Sequence, residues 1–264
     1  MITEAQLSTW ANAAPTTMAA TTNASVRAAI GSDIPLNVYL QGSYRNTTNT
    51  RGNSDVDLIA EYNNLEPSAD LAETWRMVRA YVHGRLSAVY ADHNIRLGPN
   101  SIKLLGGGNR LNADVVPVLG VNAPTFHGRR THGILFYNAV TGATIINFPK
   151  QHYDNGVAKH QATDQWYKAA VRMFKNARNA TTLPKDTAPS YFVECLLYNA
   201  PDNCFGESHQ LTFSRTLAWL AKAELGSLVC QNECAQLFGN APTQWSEARA
   251  RQFIRALADL WTRR

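Results

Sequence analysis

The chain has 264 residues, of which 45% are apolar and 17% are charged, and its formal net charge is +5. This composition predicts a globular protein of one large or two small domains and excludes an intrinsically disordered chain. The N-terminal residues lack a signal-peptide pattern and no apolar run is long enough for a membrane span, so we expect a cytoplasmic protein that does not engage a membrane.

The first half of the chain alternates helical and strand patterns. Its predicted elements are two helices within 3–31, strands over 36–40 and 55–62, a helix capped by Ser68, strands over 101–105 and 111–119, and a hairpin over 133–149. One apolar stripe defines the capped helix: Leu71, Trp75, Val78, Val82, Leu86 and Val89. The glycine cluster Gly106-Gly107-Gly108 lacks a following Lys-Ser/Thr and is more typical of a hairpin turn than of a phosphate loop.

The second half is predicted to be helical. Helices are predicted over 165–178, 190–198, 208–225 and 243–261, separated by proline-containing loops. Four cysteines in this half are interpreted as buried free thiols, namely Cys195, Cys204, Cys230 and Cys234. The predicted fold class is therefore α+β, with a mixed-sheet core lobe over 1–155, a helical lobe over 156–264, and a ligand-binding cleft between them.

The most informative stretch joins a Gly-Ser turn to two aspartates. Gly42-Ser43 is followed by eleven polar residues and then by Asp55 and Asp57, which open an apolar run. Side chains two residues apart on a strand share a face, so the two carboxylates can converge, and they repel each other unless a cation lies between them. Mg²⁺ takes hard oxygen ligands and shares them with substrate phosphates, which glycine N–H groups and a serine hydroxyl also bind.

A third carboxylate, Asp114, enters the predicted strand over 111–119. If that strand lies beside the strand over 55–62, three carboxylates can hold two Mg²⁺ ions, the arrangement that clamps both oxygens of an in-line phosphoryl displacement. A single aspartate at a strand entrance often only caps or turns the chain. The combination with Gly42-Ser43 favours a metal-dependent enzyme that acts on a nucleoside triphosphate, with Mn²⁺ as a possible substitute ion.

Three cations, Lys168, Arg172 and Lys175, lie on one face of the predicted helix over 165–178. Such a row is either a solvated surface or a set of contacts to a triphosphate. Ser190 begins a further helix whose N-terminus could hold a phosphate, and Tyr191 either stacks on a base or packs in the core.

These residues carry a family resemblance. The motifs are Gly42-Ser43, Asp55-Val56-Asp57, Asp114-Val115-Val116-Pro117, Asn147-Phe148-Pro149-Lys150-Gln151-His152, the basic helix from Tyr167 to Lys175, and the run from Pro189 to Tyr198. The chain resembles the polymerase-β-like nucleotidyltransferases, and within them the bacterial CD-NTases, which are related to cyclic GMP–AMP synthase and oligoadenylate synthetase. The resemblance covers about 38–198 well and the remainder more vaguely.

The resemblance implies an activity and a set of roles. Asp55, Asp57 and Asp114 would ligate metal, and Gly42, Ser43, Lys168, Lys175 and Ser190 would contact the donor triphosphate. ATP, GTP or both would be joined into a cyclic di- or oligonucleotide with release of pyrophosphate, and a downstream effector would read this messenger in anti-phage (CBASS) signalling. The cysteine-rich zinc insertion of the animal enzyme is absent from the sequence, so no long nucleic acid is expected to be required.

Three alternatives remain open. A nucleotidyl- or AMP-transferase acting on an antibiotic or a protein would share the aspartates. A polyadenylating or tRNA-end-adding enzyme would also share them, but it should carry a larger basic platform than a net charge of +5 indicates. A non-catalytic nucleotide sensor could keep the fold, although retention of all three carboxylates argues against it.

Overall fold

A computed structural model describes residues 2–52, 55–241 and 243–262. The chain divides into two compact units, which we call the sheet unit and the helical unit. The sheet unit contains Pro15–Arg45 and Asn53–Pro149, and the helical unit contains Met1–Ala14, Asn46–Gly52 and Lys150–Arg264. We call Asn46–Gly52 the connecting loop.

The predicted domain boundary at residue 155 differs from this division. The prediction groups residues 1–14 with the sheet, but α1 (Glu4–Ala11) packs against helices of the helical unit because its buried side chains Leu7 and Ala11 belong to that core. The connecting loop also belongs to the helical unit, although residues of the sheet unit flank it in sequence.

The sheet unit is built on seven strands in a mixed sheet. The strands are β1 (Leu36–Gln41), β2 (Val56–Tyr62), β3 (Ile95–Leu97), β4 (Ile102–Leu104), β5 (Ala113–Pro124), β6 (Arg130–Tyr137) and β7 (Thr144–Asn147). Their order is β1-β2-β5-β4-β3, with β6 paired to β5 and β7 to β6. Among these strands of the described chain, β2 and β5 pair in parallel and every other pair is antiparallel, because the chain between β2 and β5 crosses over through a helix.

Two helices of this unit, α2 (Thr17–Ile30) and α4 (Leu71–Ser87), pack on the sheet. The α4 stripe is buried as predicted at Trp75, Val78, Val82 and Leu86, and the Trp75 indole N–H donates to the carbonyl oxygen of Pro117 at 2.9 Å. Alternation along β2 and β5 turns Asp57 and Asp114 away from their fully buried neighbours Val56, Leu58, Ala113 and Val115. The aspartates therefore lie on the other face of the sheet.

Two details of the α4 prediction were wrong. The helix is capped by Asp70 rather than Ser68, because the Asp70 carboxylate accepts hydrogen bonds from the N–H groups of Ala72 and Glu73 at 2.8 and 3.1 Å. Val89 lies beyond the last helical residue and is 61% exposed, so it does not join the apolar stripe. Both predicted hairpins are confirmed: Leu104 pairs with Ala113 across the glycine cluster, and β6 pairs with β7.

The helical unit contains α1, α5 (Pro149–Ala162), α6 (Trp166–Asn179), α7 (Ser190–Tyr198), α8 (His209–Lys222) and α9 (Glu247–Thr262). Helix α6 is central, since α1, α7, α8 and α9 all contact it. Its core side chains include Tyr167, Phe174 and Met173, which are fully buried. All four cysteines are buried free thiols, as predicted. Within the described ranges, none of the helices has the length and apolarity needed to cross a bilayer.

Candidate functional site

The two predicted metal-ligating strands are neighbours. Strands β2 and β5 pair in parallel, and Asp57 and Asp114 are direct partners in the register. Neighbouring strands lie about 4.8 Å apart, so the two backbones present these carboxylates side by side on one face. Asp55 immediately precedes β2 and is exposed. The adjacency on which the sequence prediction depended is thus confirmed.

The Gly-Ser turn lies against the same carboxylate. Gly42 follows β1, whose last residue Gln41 pairs with Asp57, and it begins the short helix α3 (Gly42–Asn46). Its φ angle is +66°, and a β-carbon added there would collide with Oδ2 of Asp57. Glycine is therefore required for both the backbone conformation and the close approach. Ser43 is the next residue and is half-buried, and its role as a phosphate donor stays a prediction.

Asp114 also has neighbours that the sequence did not suggest. Its Oδ1 accepts a hydrogen bond from the Ser101 hydroxyl at 3.0 Å and lies 3.7 Å from Nζ of Lys103, whose side chain is 53% exposed. The register explains this, since Lys103 of β4 pairs with Asp114 of β5. The Lys103 ammonium group therefore lies at the edge of the carboxylate cluster.

The metal prediction itself stays a prediction. Across the described parts of the chain, no three histidine, cysteine, aspartate or glutamate side chains are gathered closely enough to hold a metal ion. The donor chemistry nevertheless fits Mg²⁺, because Asp55, Asp57 and Asp114 offer only hard oxygen ligands and two of them are register partners.

The cations of α6 do not form the single exposed row that the sequence suggested. Lys175 is 2% exposed, and its Nζ lies 2.5 Å from Oε1 of Glu194 on α7. Arg172 donates to the carbonyl oxygens of Ala11 and Thr47, each at 2.5 Å. The interpretation of Lys175 as a triphosphate contact conflicts with this placement, because its charge is buried and already paired.

Glu194 is the centre of a buried polar cluster. It is 3% exposed and accepts hydrogen bonds from Lys175 and from Asn46 and Thr48 of the connecting loop, while Nε2 of His152 lies 3.0 Å from its Oε2. Burial alone would raise the pKa of Glu194, but Lys175 and His152 outweigh it and hold the pKa well below its ordinary value. Glu194 therefore stays ionised.

Lys168 is less enclosed than Lys175. It is half-buried and lines a narrow crevice of the helical unit with Asn46, Thr48, Tyr153, Gly156, Tyr167 and Gln231. Its Nζ lies 5.8 Å from the centre of the Tyr153 ring. Burial and the nearby Arg172 lower its pKa. Its backbone N–H donates to Nδ1 of His160 at 3.4 Å.

Ser190 and Tyr191 occupy the first turn of α7. Ser190 is the first helical residue after Pro189. One face of the Tyr191 ring stacks on His152, with ring centres 5.0 Å apart, and its hydroxyl accepts a hydrogen bond from Asn232 Nδ2 at 3.2 Å. Because 40% of Tyr191 is exposed, it is not the core tyrosine of the alternative interpretation.

Sequence reasoning assigned no individual role to Glu194, His152 or Lys103, although the first two lie within motifs that carry the family resemblance. A signal for Glu194 was present, since it is the only charged residue in the run Ser190–Tyr198 of otherwise apolar or neutral residues. A carboxylate in such a helix is expected to be buried with partners. Lys103 had no comparable signal, because its proximity to Asp114 depends on strand pairing.

Comparison with known proteins supports a family assignment. Residues 154–262 match the family described as the cGAS/DncV-like nucleotidyltransferase C-terminal helical domain. A cyclic UMP-AMP synthase from Rhodothermus marinus is 39% identical, over 99% of this chain and 98% of its own length. A cyclic nucleotide synthase from Staphylococcus haemolyticus is 33% identical, over 86% of this chain and 85% of its own length.

Solved structures agree with this assignment. The R. marinus CdnE c-UMP-AMP synthase, solved with Apcpp and Upnpp, superposes with a TM-score of 0.89 and covers 99% of this chain and 97% of its own. The Elizabethkingia meningoseptica CdnE cyclic dinucleotide synthase, solved with GTP and Apcpp, is 26% identical with a TM-score of 0.88 and full coverage of both chains. The chain is therefore a nucleotidyltransferase that belongs to the bacterial CD-NTase family.

Proposed function

We propose that this chain joins nucleoside triphosphates into a cyclic di- or oligonucleotide with release of pyrophosphate, and that the reaction depends on Mg²⁺. The observation that carries the proposal is the parallel register of Asp57 with Asp114, with Gly42 packed against the Asp57 carboxylate. The products named for the relatives, cyclic UMP-AMP among them, support the cyclic outcome. We place the reaction in the cytoplasm, where its nucleotide substrates are found.

We assign a role in this reaction to each candidate site residue. Asp55, Asp57 and Asp114 would hold Mg²⁺, which neutralises phosphate charge and lowers the pKa of the attacking hydroxyl. Ser43 and the unhindered backbone at Gly42 donate hydrogen bonds to the donor triphosphate. Lys168 and Ser190 supply further contacts to it, and Tyr191 offers its exposed ring face to a base. Asp114 would receive the proton of the attacking hydroxyl.

The substrate bases are left open by the comparisons. Relatives include synthases named for UMP-AMP, for dipurine and for dipyrimidine products. We propose ATP as one substrate and a second ATP, GTP or pyrimidine triphosphate as the other. The product would act as a second messenger for an effector in anti-phage defence, which is the role that the family implies.

Purified protein incubated with Mg²⁺ or Mn²⁺ and the four nucleoside triphosphates, singly and in pairs, tests this proposal. We expect pyrophosphate release and a small product that phosphatase does not degrade, because a ring has no terminal phosphate. The same incubations with an added aminoglycoside or protein acceptor test group transfer instead. Labelling of the acceptor without any phosphatase-resistant nucleotide would contradict the proposal and favour the transferase alternative.

A further inference from the structure

The connecting loop is polar in sequence, yet four of its seven residues are buried in the structure. Asn46, Thr48, Asn49 and Thr50 are between 1% and 7% exposed. Loops of this composition normally run through solvent, because a buried polar group costs free energy unless it is hydrogen-bonded. The burial of this loop therefore depends on specific partners within the helical unit.

The principal partner is Glu194. Its Oε1 accepts from the Thr48 hydroxyl at 2.7 Å, and its Oε2 accepts from Asn46 Nδ2 at 3.0 Å. Lys175, which neutralises Glu194, also donates to the carbonyl oxygen and hydroxyl of Thr48 at 3.2 and 3.1 Å. One buried ion pair thus binds both the backbone and the side chains of the loop, and hydrogen bonds to charged groups are the stronger kind.

Further contacts fix the backbone of the connecting loop. Thr47 adopts a left-handed conformation with φ of 59°, which is strained for a β-branched residue, and its carbonyl oxygen accepts from Arg172. Asn49 Nδ2 donates to the carbonyl oxygen of Ala14 at 2.9 Å. A strained residue persists only where the surroundings impose it, so the loop has one enforced conformation.

The loop begins where the phosphate-binding turn ends. Asn46 is the last residue of α3, the five-residue helix that starts with Gly42-Ser43. Gly42 in turn packs against the carboxylate of Asp57. Asn46 and Gly42 are thus the two ends of one helical turn, so a restraint on Asn46 also limits the conformations open to Gly42 and Ser43.

We propose that Glu194 is a positioning residue: through Asn46 and Thr48 it fixes the connecting loop and thereby holds Gly42 and Ser43 in the conformation that binds a triphosphate. This inference rests on the proposed function. It differs from the roles proposed above, because Glu194 is buried and would act through its hydrogen bonds to the loop rather than by binding the triphosphate itself.

The test uses Thr48 rather than Glu194, since removing the carboxylate would leave Lys175 buried without a counter-charge. Thr48→Val removes the hydroxyl and preserves the side-chain shape, and Thr48→Ser restores the hydroxyl. Thr216→Val on α8 is the matched control, because Thr216 is also fully buried and its hydroxyl has no hydrogen-bond partner in the described structure. The probe is inorganic triphosphate with Mg²⁺, titrated by calorimetry, so that base identity does not matter.

We expect Thr48→Val to weaken triphosphate binding at least fivefold and to accelerate amide hydrogen exchange at residues 43–50. Thr48→Ser and Thr216→Val should match the wild type in both measurements. Unchanged binding in a folded Thr48→Val variant would overturn the inference, whatever its exchange rates. The proposed function fails separately, if the wild-type chain binds triphosphate but releases no pyrophosphate from any nucleotide mixture.

Discussion

At the scale of single residues, Lys168 and Lys175 have different surroundings although they are two turns apart on one helix. Lys175 is buried against Glu194, whereas Lys168 is half-buried and lines a crevice. Helical spacing predicts which side chains share a face but not whether that face meets solvent or another charged helix. The carboxylate that pairs with Lys175 belongs to Glu194 on α7, nineteen residues later in the sequence.

Substitution of Lys175 should therefore affect stability before it affects catalysis. Lys175→Met leaves Glu194 ionised and buried without its main partner, so we expect a loss of about 3–5 kcal/mol in the free energy of unfolding. Urea denaturation measures this loss, with the exposed Lys222→Met as control. The double variant Lys175→Met with Glu194→Gln should recover part of it. A stable Lys175→Met protein with a raised KM would instead restore the triphosphate role.

Substitution of Lys168 should affect substrate binding. If Lys168 contacts the triphosphate as proposed, Lys168→Ala removes a charge-assisted hydrogen bond, so we expect the apparent KM for nucleotide to rise by about 1.5–3 kcal/mol in free-energy terms, with little change in melting temperature. Pyrophosphate-release kinetics measure this effect, and the exposed Lys185→Ala is the control. Equal KM values for the two variants would show that Lys168 is only a surface residue.

At the scale of elements, the sequence predicted the helices and strands whose hydrophobic pattern is contained within the element itself. The apolar stripe of α4 and the alternation in β2 follow from the requirement to bury one face, and both lie where expected. Helix α5 was missed because it buries only His152 and Gly156 and so has no apolar stripe to recognise. Strand β3 has three residues at the sheet edge, which is too short for a periodic pattern.

The candidate site likewise contains some residues that the sequence could identify and others that it could not. Gly42, Ser43 and the three aspartates could be proposed from residue type and spacing, and the pairing of β2 with β5 bears out the adjacency of Asp57 and Asp114. The Glu194 cluster could not be predicted from the sequence, since its other members come from segments up to 148 residues away. These members are Asn46, Thr48, His152 and Lys175. Such contacts depend on the packing of whole helices.

His160, in the last turn of α5, should make the stability of the chain depend on pH. Burial, together with Lys168 and Arg172, lowers the pKa of His160 to about 4, below its ordinary value of 6.5. The unfolded chain therefore binds this proton more readily, and its contribution to stability is present above about pH 6.5 and is lost as the pH falls towards 4. Glu194 contributes in the same direction only at lower pH, because its ordinary pKa is 4.5.

Between pH 7 and 5 we accordingly expect His160→Gln to flatten the decline in the free energy of unfolding. Urea denaturation at several pH values compares the variant with the wild type, and His93→Gln in the sheet unit is the control. An equal slope for the wild type and His160→Gln would show that His160 titrates normally in the folded chain.

At the scale of the whole molecule, the chain combines a mixed-sheet unit that carries the carboxylates with a helical unit that carries Lys168, Ser190 and Tyr191. This is the family architecture, as the agreement with the R. marinus CdnE structure over nearly the full length of both chains indicates. The central claim is that the carboxylates on and beside the paired strands β2 and β5 perform nucleotidyl transfer.

The measurement that tests this claim most directly is turnover by the double variant Asp55→Asn with Asp57→Asn. Pyrophosphate release and phosphatase-resistant product should both be abolished, whereas the melting temperature should be unchanged or raised because repulsion between carboxylates is relieved. Asp92→Asn, outside the site, should retain wild-type turnover. Wild-type turnover by the double variant, in a reaction that the unmodified chain performs, would contradict the account.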